Sequence, residues 1–480
     1  MGLVFLNFSA FLAQNNKVQS ALDAFAEQVA GEGAAISFKA VNLESGNIVA
    51  QYNKDMKLPT ASIMKLFTSA LAFEELGKYY RPSTRFYMDG ELDSNGVLHG
   101  NLWIRGGGDP SLGSRYFTKR GNERAFLYEM VDSLIANGIK QINGNVIADG
   151  SAFGYYGAPE GWTWGDMGNY YGAGPNGCTV FDNMTYFDFA TSSKLNDSTV
   201  IACFDPHIEG MSVYNKVTTS KIQKDNAYIF GAPYLYDRMV SGTLPFGKES
   251  FEVKGSIPDP EWLLAQELTY ELNQKIEVQG RPMSYRQLIY NVVQLPDYSN
   301  KSLVYTHYGK MLSTIADLVN MRSVNLFAEH LLCWVGLNRT GSGSTESSAL
   351  YAMNYWNNKL NQTVFISDGS GLSRKNAASA SDFCELLKYM EKAKTFEDFK
   401  STLPVAGKTG TLASVCRGQA GSGRIHAKSG TMTRIKAYSG FVYSSTGRKL
   451  AFCIIVNNHT IPNFQLVKKM ETIFNAMASY

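Results

Sequence analysis

Cysteine is scarce: six in 480 residues, at positions 178, 203, 333, 384, 416 and 453, with no CxxC and no histidine at a partnering spacing. A zinc site, or any other metal site, has no ligand set to stand on. Cys333, Cys384 and Cys453 fall in helical or strand-like patterns and read as small buried apolar side chains. Cys178 and Cys203 lie in loop-rich sequence, which leaves one pairing open in an oxidising compartment. The six histidines form no HExxH, and no GK[ST] follows the run Gly106–Gly108, so a zinc peptidase and a phosphate loop both drop out. Charge is low, at 18%, and balanced: 45 basic against 42 acidic residues, formally +3. The concentrated basicity of a nucleic-acid binder is missing, as is the one-signed charge of a disordered chain. No apolar run reaches the roughly 20 residues of a membrane span. There is no internal repeat, and no low-complexity tract beyond Thr340–Ser344.

What remains is a chain with 44% hydrophobic residues, 12% aromatics and 44 glycines. At about 100–200 residues per domain, this length predicts two or three domains with sizeable cores. High glycine and aromatic content beside low charge suits a turn-rich exported enzyme. The segment 1–14 is apolar with small-residue exits at Ser9-Ala10 and Leu12-Ala13, and reads as the remnant of an export signal.

Both ends of the chain carry helix and strand patterns. Lys17–Ala30 sets Val18, Leu22, Phe25 and Val29 on one helical stripe, and Ala35–Asn42 and Ile48–Tyr52 read as strands. A helix is expected from about Ala61 to Leu76, closed by Gly77. At the far end Arg424–Ala427, Lys436–Tyr443 and Lys449–Val456 read as a meander, followed by a helix starting at Pro462. One antiparallel sheet built from the two termini is the simplest arrangement. The middle, from about Arg81 to Ser256, is strand- and turn-rich. It has one βαβ-like passage, the helix Ala125–Asn137 leading into Gln141–Ala148. Helical patterns return at Trp262–Asn273, Met283–Val292, Met311–Val319 and Leu326–Val335.

Three short motifs carry chemistry. In Ser62-Ile63-Met64-Lys65 the i, i+3 spacing lets the hydroxyl and the amine meet on one helix face. A serine attacks only when a base takes its proton, and a lysine serves when burial or a nearby cation lowers its pKa. Ser323-Val324-Asn325 sits between two helical patterns, with Ser323 placed as an N-cap or as a proton relay, and Asn325 as a substrate ligand. A lysine, a small hydroxyl residue and a glycine occur twice, at Lys408-Thr409-Gly410 and Lys428-Ser429-Gly430. The second ends an alternating strand, where glycine admits close backbone approach, and is preferred. Each motif alone is common by chance. In this order they form the set shared by penicillin-binding proteins and class A β-lactamases.

Further stretches narrow the likeness: Gly106–Leu112, Asp149–Phe153, Tyr170–Ala173, Gly242–Pro245, Asn325–Glu329, Asp368–Ser373 and Leu403–Gly407. With the long stretch between Lys65 and Ser323, the chain resembles the penicillin-binding protein 4 type (low-molecular-mass class C) D-alanyl-D-alanine carboxypeptidase/endopeptidases over nearly its whole length. The resemblance implies an α+β fold: a penicillin-recognising serine transpeptidase/β-lactamase-like domain, an antiparallel sheet with helices on both faces, carrying a large inserted β-rich domain. The expected division is 15–81 with 256–480 for the peptidase domain and 82–255 for the insert. Gly410-Thr411-Leu412 matches a segment that precedes the family's third motif, which makes Lys408 an incidental lookalike. Val324 and Ser429 depart from the usual Asp and Thr.

The roles implied are Ser62 as nucleophile, Lys65 as base, and Ser323 with Lys428 as proton shuttle. Backbone N–H groups of Ser62 and Thr431 would form the oxyanion hole. Asn325, Ser429, Gly430 and Thr431 would bind substrate. No cofactor or metal is implied. The expected partners are peptidoglycan stem peptides, and β-lactam antibiotics as covalent inhibitors, in the periplasm or otherwise outside the bacterial cytoplasm, with peripheral membrane association left open. Two rivals are a β-lactamase or esterase of the same superfamily, and a catalytically silent peptidoglycan-binding protein whose sequence support is Val324. Asp368-Gly369-Ser370-Gly371 lacks the G-x-S-x-G elbow and reads as a tight loop near the site. His426 reads as a strand side chain, and Trp162–Tyr171 as packing.

Overall fold

A computed structural model describes residues 17–31, 33–289 and 295–480; the expected signal remnant at 1–14 lies outside them. The chain divides into two compact units. One comprises Met1–Tyr79, Leu312–Leu332 and Ala349–Tyr480, the other Tyr80–Met311 and Cys333–Ser348.

The first unit is organised on a five-stranded antiparallel sheet, in the order Ile425–Met432, Ile435–Tyr443, Lys449–Asn457, Ala35–Asn42, Ile48–Tyr52. The two ends of the chain meet at its centre, with Ala35 opposite Asn457 and Asn42 opposite Leu450. Strand side chains alternate between faces. Ile36, Phe38 and Ala40 join a core with Val18, Leu22 and Phe25 of the helix at 17–30, and with Leu466, Met470 and Phe474 of Asn463–Ala478. The alternate residues face the helix Ala380–Lys392: Ser37 Oγ accepts from the Ala380 N–H, and Lys39 pairs with Glu385. Covered on both faces, the central strands are buried almost without interruption, and the stretch from Leu450 to Val456 is accordingly apolar throughout rather than alternating.

The second unit holds a mixed seven-stranded sheet and two three-stranded sheets. The βαβ passage is present: Val97–Gly106 pairs in parallel with Gln141–Ile142 and Val146–Asp149, and the helix Ala125–Ala136 lies between them in the chain. The expected boundary at 255/256 falls inside this unit, because the helix Pro260–Asn273 buries Leu263, Leu264 and Leu268 in its core. The helix expected at Met283–Val292 is replaced by a strand, Pro282–Ser284, and a single turn, Tyr285–Leu288. Parallel pairing of residues 282–284 with Val146–Ala148 overrides the local pattern, and Ser284 then caps the turn through the Gln287 N–H. Residues 290–292 of that expectation lie outside the described residues. Cys178 is buried and Cys203 exposed, and the two are unpaired.

Candidate active site

Thr60 and Ala61 turn the chain into a 3-10 segment, Ala61–Met64, which runs on as the α-helix Lys65–Leu76. Ala61 sits at φ 47°, a left-handed conformation that a non-glycine residue adopts at a cost and that clusters at functional sites. In a 3-10 turn i and i+3 eclipse. Lys65 Nζ therefore reaches Ser62 Oγ at 3.1 Å. It also donates to Asn325 Oδ1 and to the Ser370 carbonyl, both at 2.7 Å; these two bonds use both N–H groups of the neutral amine and leave its lone pair for the Ser62 hydroxyl. Lys65 is fully buried, and burial lowers its pKa to about 7, against a smaller opposing pull from Asp368 and Glu329. An unprotonated amine within reach of a serine hydroxyl is thus available near neutral pH.

The second motif lies between the helices Leu312–Met321 and Asn325–Thr340. Of the two readings open for Ser323, the structure does not show the N-cap, since the helix begins at Asn325. The Ser323 backbone is left-handed, at φ 61°, and its Oγ accepts from Lys428 Nζ at 2.9 Å, while the Val324 carbonyl takes the Ala328 N–H. Val324 therefore contributes through its backbone. Lys428 is fully buried and also donates to the Ser429 carbonyl at 2.8 Å. Its pKa is pushed far down by burial first, then by the charges of Lys65 and Lys436. For both lysines burial is the largest cause of the lowered pKa.

The third motif continues the edge strand Ile425–Met432 further than expected. Outside the sheet, Ala427 N donates to the Pro404 carbonyl and the Ile425 carbonyl accepts from Ala406 N. Alternation then aims the N–H groups of Ser429 and Thr431 at the same outer edge, beyond the reach of the 404–406 segment. Gly430 lies against the turn that carries Ser62. A Cβ there would come within 3.0 Å of the Thr60 carbonyl and 3.1 Å of Ser62 N. Ser429 Oγ donates to Thr411 Oγ1 at 2.8 Å, and Lys436 Nζ to Thr431 Oγ1 at 2.7 Å. Burial lowers the Lys436 pKa to about 8. Lys408 is exposed on a loop, apart from this cluster.

Behind these groups stands a buried frame that the motifs do not include. Glu329 accepts the N–H groups of Gly369 and Ser370 at 2.9 and 2.8 Å, and burial followed by the Asp368 charge pushes its pKa up to about 8. Asp368 accepts from Gly371 N, Ser373 N and Asn376 Nδ2. Together the two carboxyl groups hold the 368–373 loop so that the Ser370 carbonyl meets Lys65, while the Ser370 side chain is buried. Glu329 is legible in the sequence as i+4 from Asn325 on one helix. Lys436 carries no local signal, since it arrives by hairpin register, and Thr411, within the Gly410-Thr411-Leu412 match, is brought to Ser429 by loop packing. Among the described residues, no group of three His, Cys, Asp or Glu side chains is placed to hold a metal ion.

Residues 18–479 match the D-Ala-D-Ala carboxypeptidase 3 (S13) family. The chain belongs to that family. Membership makes it a serine peptidase of the D-Ala-D-Ala carboxypeptidase class, and the order of its three motifs agrees. It is 25% identical over 474 residues to the D-alanyl-D-alanine carboxypeptidase DacB of Haemophilus influenzae, covering 94% of this chain and 92% of that one. A D-alanyl-D-alanine carboxypeptidase of Actinomadura sp. is likewise 25% identical, over 94% of this chain and 82% of its own length. The crystal structure of penicillin binding protein 4 (dacB) from Haemophilus influenzae superposes with a TM-score of 0.79 at 22% identity, covering 95% and 99% of the two chains, which shows the shared fold.

Proposed function

We propose that this S13-family member cleaves the terminal D-Ala-D-Ala bond, and D-alanyl cross-links, of peptidoglycan stem peptides through an acyl-enzyme on Ser62. The observation that carries the assignment of roles is the convergence of Ser62–Lys65 with Ser323–Lys428, two hydroxyl–amine pairs built on buried lysines. Neutral Lys65 takes the Ser62 proton as Oγ attacks the carbonyl carbon of the penultimate D-Ala. The oxyanion settles between the N–H groups of Ser62 and Thr431. Ser323, hydrogen-bonded to Lys428, passes a proton to the departing D-Ala amine. The proton it passes is made good by the one Lys65 took from Ser62, which leaves Ser323 restored and Lys65 neutral; water then attacks the ester, and Lys65 accepts its proton and returns it to Ser62 Oγ as the acyl group departs.

Ser429, Thr431 and Lys428 are suited to the terminal carboxylate, and Asn325 to a peptide amide. Gly430 lets the substrate chain lie along the open strand edge, adding a strand to the sheet. A β-lactam presents the same acyl carbon and carboxylate, so penicillins should acylate Ser62. A crystal structure of the Haemophilus influenzae protein is described as complexed with a β-lactam. The unit that bears Ser62, Ser323 and Lys428 is the peptidase domain, and Tyr80–Met311 forms the bulk of the insert. The substrate places the enzyme outside the cytoplasm; among the described residues no helix is long and apolar enough to cross a membrane.

The test is digestion of purified muropeptides followed by mass analysis, beside labelling with a fluorescent penicillin. Wild-type protein should release D-Ala and carry one label, whereas Ser62→Ala should do neither while remaining folded, since alanine is well tolerated in a helix. Labelling of the variant at another serine, or an adduct that turns over within seconds, would overturn the reading.

A further inference from the structure

The second unit contains a cleft of about 520 Å³, within the range of small-ligand sites. Three arginines line it, Arg81, Arg85 and Arg105, together with Tyr80, Tyr308 and Asn338, and none of the described residues lining it is acidic. Arg85 and Arg105 stand directly opposite each other on neighbouring antiparallel strands, Ser83–Leu92 and Val97–Gly106. Like charges in that register repel, so the strands gain nothing from the pairing unless an anion bridges it.

Among the described residues, no carboxylate forms an ion pair with the three guanidinium groups. Asp149, next in the same row of paired residues, is buried and accepts instead from Tyr298 Oη at 2.6 Å and from Ser151 N at 2.9 Å. Two of the arginines are also held in place. Arg81 Nε donates to the Gly309 carbonyl at 2.7 Å, and the Arg105 guanidinium stacks 4.5 Å above the Tyr298 ring. Planar forks held in this way match carboxylate or phosphate oxygens bidentately. The rings of Tyr80 and Tyr308 add apolar faces that suit a sugar or peptide backbone beside the charge.

We infer that this cleft is a second binding site, separate from the Ser62 site, for a ligand of disaccharide or tripeptide size bearing carboxylate or phosphate groups. The inference stands without the peptidase mechanism. The test is isothermal titration of the full-length, penicillin-treated protein with three probes: inorganic phosphate, a muramyl tripeptide, and uncharged diacetylchitobiose. Phosphate or the muramyl tripeptide should bind, more weakly as salt rises. R85Q/R105Q should lose at least about tenfold in affinity, because charge-assisted hydrogen bonds go with the guanidinium groups. R85K/R105K, which keeps the charge and loses the fork, should also bind more weakly. Both variants should be labelled by penicillin at the wild-type rate. Binding of phosphate alone would assign a phosphate-bearing ligand, and binding of the tripeptide alone a carboxylate-bearing one. If neither anion binds, if chitobiose binds as well as they do, or if the folded variants bind like wild type, the inference falls.

Discussion

Gly430→Ala separates the stability of the edge strand from the part it plays beside Ser62 in the proposed mechanism. The new methyl would stand 3.0 Å from the Thr60 carbonyl, 3.1 Å from Ser62 N and 3.2 Å from Ala61 Cβ. Ordinary contact begins near 3.4 Å, so strand and turn must part by a few tenths of an ångström. Nothing else in the strand needs to change, and replacing glycine removes about 0.5–1 kcal/mol of unfolded-state entropy that opposes folding. Melting temperature should therefore hold or rise slightly. Catalysis responds oppositely, because the gap that widens separates the N–H of Ser62 from that of Thr431. Loss of a whole oxyanion donor costs about 10²–10³ in rate, and a 1 Å misplacement about 10². A shift of a few tenths should slow acylation by about tenfold. The assay is the second-order rate of acylation by one penicillin, with thermal unfolding measured on the same preparations. Gly165→Ala, whose methyl would meet nothing closer than 3.9 Å, is the control. Acylation at the wild-type rate, or a fall in rate that merely tracks a fall in stability, would refute the placement of Gly430 against Ser62.

In the proposed mechanism Lys65 must be neutral to accept a proton, and burial lowers its pKa to about 7. Acylation should therefore rise with pH through about 7 and fall toward tenfold per unit well below it, about a tenth of the amine being neutral at pH 6; a profile flat from pH 5 to 8 would exclude Lys65 as base. Lys428→Ala should slow acylation by about 10²–10³, whereas Lys408→Ala, on an exposed loop, should change it less than about threefold. The reverse ranking would reassign the third motif. Ser323→Gly should fold at least as well as wild type, since glycine accepts φ 61° freely, yet lose about 10² in acylation with its proton relay; equal activity would reduce Ser323 to a turn residue.

Motifs formed by neighbours in the chain are legible in the order of residues. Ser62 and Lys65 meet because three residues make one turn, and the meander at 425–457 follows from apolar runs broken by a tight turn. The continuous burial of residues 450–456 likewise matches an apolar run that marks a strand covered on both faces. Ser323 lies between two helices, as its flanking patterns indicate, but its task is different from a cap's. Its left-handed backbone withdraws the hydroxyl from capping and turns it toward a lysine far along the chain. The helix expected at Met283–Val292 fails for a related reason, its first residues being claimed by a parallel strand whose position no local pattern reveals.

Residue order and spacing thus determined which side chains are able to carry the chemistry, because hydroxyl, amine and amide are properties of single residues and i, i+3 contact is a property of any helical turn. Their protonation was decided by the tertiary structure alone. The Lys65 pKa is lowered by removal of water, and that dehydration comes from Asn325, the Ser370 carbonyl and the loop held by Glu329 and Asp368, all distant in sequence. The preference for Lys428 over Lys408, already drawn from the alternating strand that precedes it, gains its physical reason here. Both have a small hydroxyl residue and then a glycine beside them, but only Lys428 occupies a buried position on an edge strand whose glycine packs against Ser62 N.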